Sequence, residues 1–225
     1  VGALTIDDEG VPAGINNRVE LAEAETRLRR EIRERHMLNG VTLIDPPSTF
    51  IDEDVVIGAD TVIYPFTIIG AGTRIGEGCT VGAYSQLYAA TLEDRVEVIS
   101  SWVEKSTIRT GARVGLFSRL RPGCDIASGA YIGNFSELKN TRVGENSAVH
   151  HVGYLGDTTL GERVNIGAGT ITCNFDGEAK HPTTIGDHAF IGSNSIIVAP
   201  VTIGDDALTG AGSVVTRDIP AGKVA

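Results

Sequence analysis

Between residues 119 and 193 the chain gathers the side chains best suited to hold an anion and move a proton. Arg119 and Arg121 flank Leu120, and Lys139 follows Leu138. If both leucines point into a core, all three cations point out. Arg121 and Lys139 are 18 residues apart, so in a fold that repeats every 18 residues they stack on one face. Two stacked cations suit a shared anion such as a phosphate. The competing reading is a surface pair relieved by Glu137. Next come His150 and His151, in AVHHVGYLGD. Imidazole titrates near neutrality, which suits a general base. On its own such a pair is ordinary surface, but Tyr154, Asn165, Asn174 and Lys180 lie close in sequence and supply donors and acceptors for a polyhydroxylated ligand. Alternation from an inward Val149 would turn His150 out and His151 in.

The element that must position these residues is a repeat. From Ile51 to Leu87 an aliphatic residue returns every sixth position: Ile51, Ile57, Ile63, Ile69, Ile75, Val81, Leu87. Neither a helix nor an alternating strand has that period. A hexapeptide repeat marks a parallel β-helix, each unit one short strand and turn, three units to a coil. Val55, Thr61, Thr67, Thr73, Cys79 and Ser85 follow four residues after each aliphatic and should share the interior. Gly58, Gly70, Gly76 and Gly82 are expected to turn the corners. The register falters from Leu92 to Val103, resumes at Ile108, and runs to Ile166 with one-residue contractions before Val143 and Leu160. It breaks over TCNFDGEAKHPTT (172–184), returns at Ile185 and fades past Val215. About nine coils are expected. Breaks in such repeats map to loops, and loops on rigid scaffolds carry function.

Ahead of the repeat, NRVELAEAETRLRREIRERHMLNG reads as a helical arm over 16–40. Asn17 and Glu20 form a capping box, Gly40 supplies the stop, and Leu21, Ala24, Leu28 and Ile32 make an apolar stripe. Its arginines could bind an anion, but with Glu31 and Glu34 among them a solvated, charge-paired face is the expectation. Pro46 and Pro47 form an elbow before the repeat, taken over 41–225.

The chain has 225 residues, 28 glycines, 5% aromatics and a net charge of −10. That charge argues against a nucleic-acid footprint. Cys79, Cys124 and Cys173 are far apart with no CxxC, so neither a zinc site nor a disulfide framework is expected. No stretch approaches 18 apolar residues and no leader is visible, so the expectation is a soluble cytoplasmic protein without membrane partners.

RLRPG (119–123), GNFSELKN (133–140), HVGYLGD (151–157), NIGAGTITCNFDG (165–177) and GSNSIIVAPVTIGDDALTGAGSVVTRDIP (192–220) together resemble one family. It is the bacterial bifunctional enzyme that acetylates glucosamine 1-phosphate and uridylylates the product to UDP-N-acetylglucosamine. The likeness runs from about Gly14 to the last residue, and residues 1–15 resemble the end of the uridylyltransferase domain. The resemblance implies an all-β, left-handed parallel β-helix preceded by the helical arm, although the usual crossover rule favours the opposite hand. It places the general base on His151 and the sugar-phosphate contacts on Arg121, Lys139, Tyr154 and Asn165. Acetyl-CoA contacts fall on Ala168, Asn174, Phe175, Ser193 and Ala211, with Lys180 nearby. Phe175 stands where the family has Tyr, so a stacking role survives and a hydroxyl role does not. Asn16 matches a Mg2+ ligand of the uridylyltransferase site but lacks its partner Asp and the glycine-rich loop, so no uridylyl transfer is expected of this chain. A homotrimer with sites between neighbours is also implied.

Two other readings compete. A metal-dependent solenoid hydratase of the carbonic-anhydrase type would need three converging histidines from among His150, His151, His181 and His188, whose spacing does not match neatly. A non-catalytic assembly scaffold needs no site at all.

Overall fold

The computed structural model describes residues 14–225; the expectation for residues 1–13 lies outside the described residues. A helix, α1 (Arg18–Leu38), leads into a parallel β-solenoid built from two ten-stranded sheets and one nine-stranded sheet. We call these the first, second and third faces, in the order the chain visits them, with a first, second and third corner after each. All strand pairs are parallel, each strand bonding to those one coil below and above; for example Leu120 pairs with Leu138, and Leu138 with Leu155.

The sixfold period survives as an interior stack. Ile63, Ile69, Val81, Leu87, Leu120, Ile126, Ile132 and Leu138 are fully buried, and the small residues Thr61, Thr67, Thr73 and Ser85 lie inside with them. Most inward hydroxyls are satisfied by backbone, as where Thr61 Oγ1 donates to Gly76 O at 2.9 Å; Ser136 and Thr183 are exceptions. Burying the aliphatics supplies the main drive to fold, and the narrow prism leaves no room for rings.

Four expectations need correction. The interior does not falter between Leu92 and Val103: Leu92, Val98 and Val103 are all buried, Leu92 and Val103 being reached by five-residue units. The shortened corners turn on left-handed residues such as Ala89, Ser100 and Lys105 (φ +48°, +46° and +43°). There are ten coils rather than about nine, because Thr42–Leu43 already opens the first face. The break begins at Asn174 rather than at 172, since Thr172 lies 1% exposed in the interior on the strand Ile171–Cys173. Finally, Gly58 and Gly76 do not turn the corners. A Cβ on Gly58 would meet the Gly76 carbonyl carbon at 2.6 Å, so these glycines let coils stack. The turning is done two residues later, by residues such as Asp60, Phe66 and Tyr84 with φ of +60° to +62°.

At the first corner large rings occupy these left-handed positions. Phe66 stacks on Tyr84 (5.1 Å) and Phe117 on Phe135 (5.5 Å), all exposed. Left-handed φ is uncommon for side chains this bulky.

Helix α1 is capped as expected: Asn17 Oδ1 accepts from the Val19 and Glu20 amides at 2.9 and 3.0 Å, and Gly40 takes φ +89°. Of the apolar stripe only Ile32 is buried; Leu21 and Leu28 remain exposed, because only the last turns of the helix pack on the first coil. Its cations are paired as expected of a solvated face: Arg29 with Glu25, Arg30 with Glu34, and Arg35 with Glu53.

Candidate active site at two corners of the prism

His151 stands at the first corner in the seventh coil. The chain stacks Ala168, Ser193 and Ala211 above it, one per coil: Gly169 N donates to His151 O at 3.0 Å, Asn194 N to Ala168 O at 2.7 Å, and Gly212 N to Ser193 O at 2.8 Å. The column therefore climbs at the strand spacing of about 4.8 Å. Above the histidine the column carries only small side chains. Contrary to strict alternation, His151 does not face the interior: it is exposed and His150 half-buried, both outside the prism. His150 Nε2 lies 2.9 Å from Asn165 Oδ1, and its ring meets Tyr131 edge-on at 6.1 Å. The His151 imidazole makes no hydrogen bond among the described residues and stands exposed. Asn165 thus serves His150 and stands one coil above it on the first face.

The second corner carries the charge. Arg121 and Lys139 do stack, on paired strands of coils five and six. Glu137 Oε1 takes the Arg121 guanidinium at 3.1 Å, so the relieving carboxylate of the competing reading is present. The excursion 174–182 leaves from this same corner in the eighth coil and folds back. It is a small hairpin, with Phe175 bridging Lys180. Asp176 Oδ1 accepts from the Glu178 and Ala179 amides at 2.8 Å each, and Asp176 Oδ2 lies 2.6 Å from His181 Nε2. Those bonds hold the Asp176 carboxyl well below the usual carboxylate range.

Folding back brings Lys180 against Lys139, with Arg121 and Asp157 close by; contact with the Lys139 ammonium, repulsion and desolvation push Lys180 below the ordinary lysine value, Asp157 opposing. Lys180 therefore joins Arg121 and Lys139 rather than the column of Ala168, Ser193 and Ala211. Asp157 is the hub of this corner. It accepts from Asn140 Nδ2 at 2.8 Å and from the buried Asn174 Nδ2 at 2.5 Å. Burial alone would raise its carboxyl, yet those two bonds and the ammoniums of Lys139 and Lys180 hold it below the usual range.

Asn174 is thus spent on Asp157, while Phe175, 58% exposed, offers its ring to solvent. Tyr154 lies on the second face between the corners; its hydroxyl and Asn174 Nδ2 would each stand 2.6 Å from a Cβ on Gly156. Sequence reasoning missed Asp157 and Asn140; the signal available was the short corner LGD after Leu155, which puts Asp157 at a left-handed turn (φ +51°).

The structure brings together Arg121, Lys139, Lys180, Asp157 and Asn174 at the second corner, and His151 with Ala168, Ser193 and Ala211 at the first. It does not join the two groups, which border the second face from opposite edges. The other histidines stand elsewhere: His181 on the hairpin, His188 at the third corner beside Arg163 Nε at 2.9 Å. Among the described residues no three imidazoles converge. Asn16 sits in the entry of α1, its Nδ2 donating to Gly14 O at 2.8 Å and its amide to Glu20 Oε2 at 2.6 Å. Glu20 is engaged in the cap, and among the described residues no three His, Cys, Asp or Glu side chains gather to hold a metal. The donors present do not fit a Mg2+ site.

A prism of stacked hexapeptides with polar side chains on its edges defines the hexapeptide-repeat transferases. The family described as "Bacterial transferase hexapeptide (six repeats)" matches residues 48–88, and "Hexapeptide repeat of succinyl-transferase" matches 182–217. A crystal structure of an Arabidopsis UDP-N-acetylglucosamine acyltransferase superposes with TM-score 0.59 at 15% identity, covering 78% of this chain and 68% of its own. One from Francisella novicida superposes at 0.50 and 18%, covering 80% and 64%. Both share the left-handed β-helix.

Within that class the chain belongs to the family of the bifunctional GlmU proteins, whose C-terminal half it matches. It is 56% identical to the one from Fervidobacterium nodosum over 99% of this chain and 49% of that protein. It is 51% identical to that of Heliobacterium modesticaldum, over 100% and 49%. The chain thus spans about half the length of the curated relatives it matches. No helix among the described residues is long and apolar enough to cross a membrane.

Proposed function

We propose that the chain transfers an acetyl group from acetyl-CoA to the amine of glucosamine 1-phosphate, on the route to UDP-N-acetylglucosamine in the cytoplasm. The observation that carries this reading is the triple cation of Arg121, Lys139 and Lys180 at one corner. It suits a sugar phosphate, while an exposed histidine heads a column of small residues at the next corner. An acyl thioester carried on a long pantetheine arm fits along such a column; a polyhydroxylated phosphate fits the cations, Tyr154 and Asn165.

Amine acylation needs a neutral nitrogen. His151 takes the proton from the sugar ammonium, the nitrogen attacks the thioester carbonyl, and the C–S bond breaks as the tetrahedral intermediate collapses to amide and CoA thiolate. The amine's second proton leaves with that collapse. The protein contributes chiefly by holding both substrates in register, and no covalent intermediate on the enzyme is required.

Because one chain keeps its base and its cations on opposite edges of a face, a second copy is needed to close the site. The exposed rings of Phe66, Tyr84, Phe117 and Phe135 on the first corner support a homotrimer. The uridylyl half of the family's chemistry is not assigned to these residues. The test is direct: purified chain, acetyl-CoA and glucosamine 1-phosphate, with thiol release and N-acetylated product measured together. Release of thiol without the acetylated sugar, or no release at all, overturns the proposal.

A further inference from the structure

The peptide between His150 and His151 breaks a rule that the two coils directly below it keep. At the first corner the small inward residue of one coil donates its hydroxyl to the carbonyl just after the inward aliphatic of the next. Ser101 Oγ donates to Gly115 O at 2.5 Å and Ser118 Oγ to Gly133 O at 2.6 Å. By the same register, Ser136 should donate to His150 O. Instead Ser136 Oγ is buried without a partner among the described residues. A buried hydroxyl left unbonded is costly and calls for a cause.

The missing acceptor lies one coil down. A Cβ on Gly133 would stand 1.5 Å from the His150 carbonyl oxygen and 2.5 Å from its carbon. No other glycine among the described residues is approached so closely. At Gly115, one coil lower, the nearest atoms to such a Cβ are Asn134 Oδ1 at 2.9 Å and Ile132 O at 3.3 Å. The His150 carbonyl has therefore turned off the interior and onto Gly133.

That turn explains why two adjacent histidines both face outward. It is followed at once by Val152 held at φ +52°, a region β-branched residues avoid, as happens where backbone is held for function.

We propose that Gly133 is a positioning residue for His151: the missing side chain admits the turned peptide, and the turned peptide carries the imidazole out to the head of the Ala168–Ser193–Ala211 column. The inference rests on the reading of His151 as the base, and its test separates the two. Gly133→Ala in the full chain should lower kcat about 10²-fold, the scale of a catalytic group misplaced by about an ångström, with both KM values near those of the parent. In a His151→Ala background the same change should cost nothing further. Additive losses would overturn the proposal, since Gly133 would then act by another route.

If His151→Ala keeps the parent kcat, the base reading falls, and the turned peptide is judged by a pair of hydroxyls instead. Ser118→Ala removes a made hydrogen bond and should lower Tm by about 2–4 °C. Ser136→Ala removes an unbonded hydroxyl and should leave Tm unchanged or raise it. Equal losses at the two serines would mean that Ser136 has its acceptor, the peptide is not turned, and the proposal is wrong.

Discussion

His150 and His151 are neighbours with different freedoms. The first has its Nε2 committed to Asn165; the second stands exposed, its imidazole without a hydrogen bond among the described residues. His151→Ala should lower turnover about 10²–10⁴-fold, the usual range for a placed acid or base, with substrate binding largely intact, whereas His150→Ala should cost far less. Steady-state kinetics on the two variants decide it, and a crippled His150 variant would move the base by one residue. At the second corner, Ala in place of Arg121, Lys139 or Lys180 removes a charge-assisted contact, about 1.5–3 kcal/mol each. KM for the sugar phosphate should rise while that for acetyl-CoA stays nearly fixed; equal rises in both would count against the assignment. The stacking of Arg121 on Lys139 was legible in the sequence because an 18-residue spacing is all it needs. Lys180 was not, since its partner is set by a hairpin that folds back over two coils. The orientation of His151 was not either, because alternation presumes an undistorted strand and the peptide there is turned.

The elements show the same division. Strict sixes and the capping box of α1 can be read from residue types alone, and both match the structure. Asn17→Ala should cost about 1 kcal/mol of helix stability, visible as lost protection in the first turns of α1. Five-residue units were misread as a break because the pattern counts residues, while the corner only needs one left-handed turn and can reach it a residue sooner. The hairpin 174–182 has no periodic signal, only turn residues, so its shape follows from Asp157 and Asp176. Asp157 has a folded pKa below its unfolded one. Its contribution is therefore present above the unfolded range near about 4 and is lost as pH falls through the lower folded value. Protection factors of the amides 176–179 should drop across that acid window, and Asp157→Asn should abolish the drop attributable to this carboxyl. An unchanged acid profile in the variant would assign the anchoring to Asp176 instead.

The whole molecule is a one-dimensional stack in which each coil touches only the coils beside it. Its sedimentation mass should be three times the 23.7 kDa of the chain if neighbouring copies close the site, and a monomer mass with full activity would refute that arrangement. The column that starts at His151 reaches Ala211 in the tenth coil, where Leu208 bridges onward to Val224. Each coil is held by the coils beside it and can open locally, so amide exchange in the tenth coil reports on its opening. A ligand lying along that column binds only when the coil is closed, and so must damp its opening by mass action. Saturating acetyl-CoA should therefore slow exchange at Gly210–Val215 while leaving the first coil, at Thr42–Leu43, as it was. The tenth coil would then work as a latch whose breathing sets how readily the thioester enters and how readily CoA leaves.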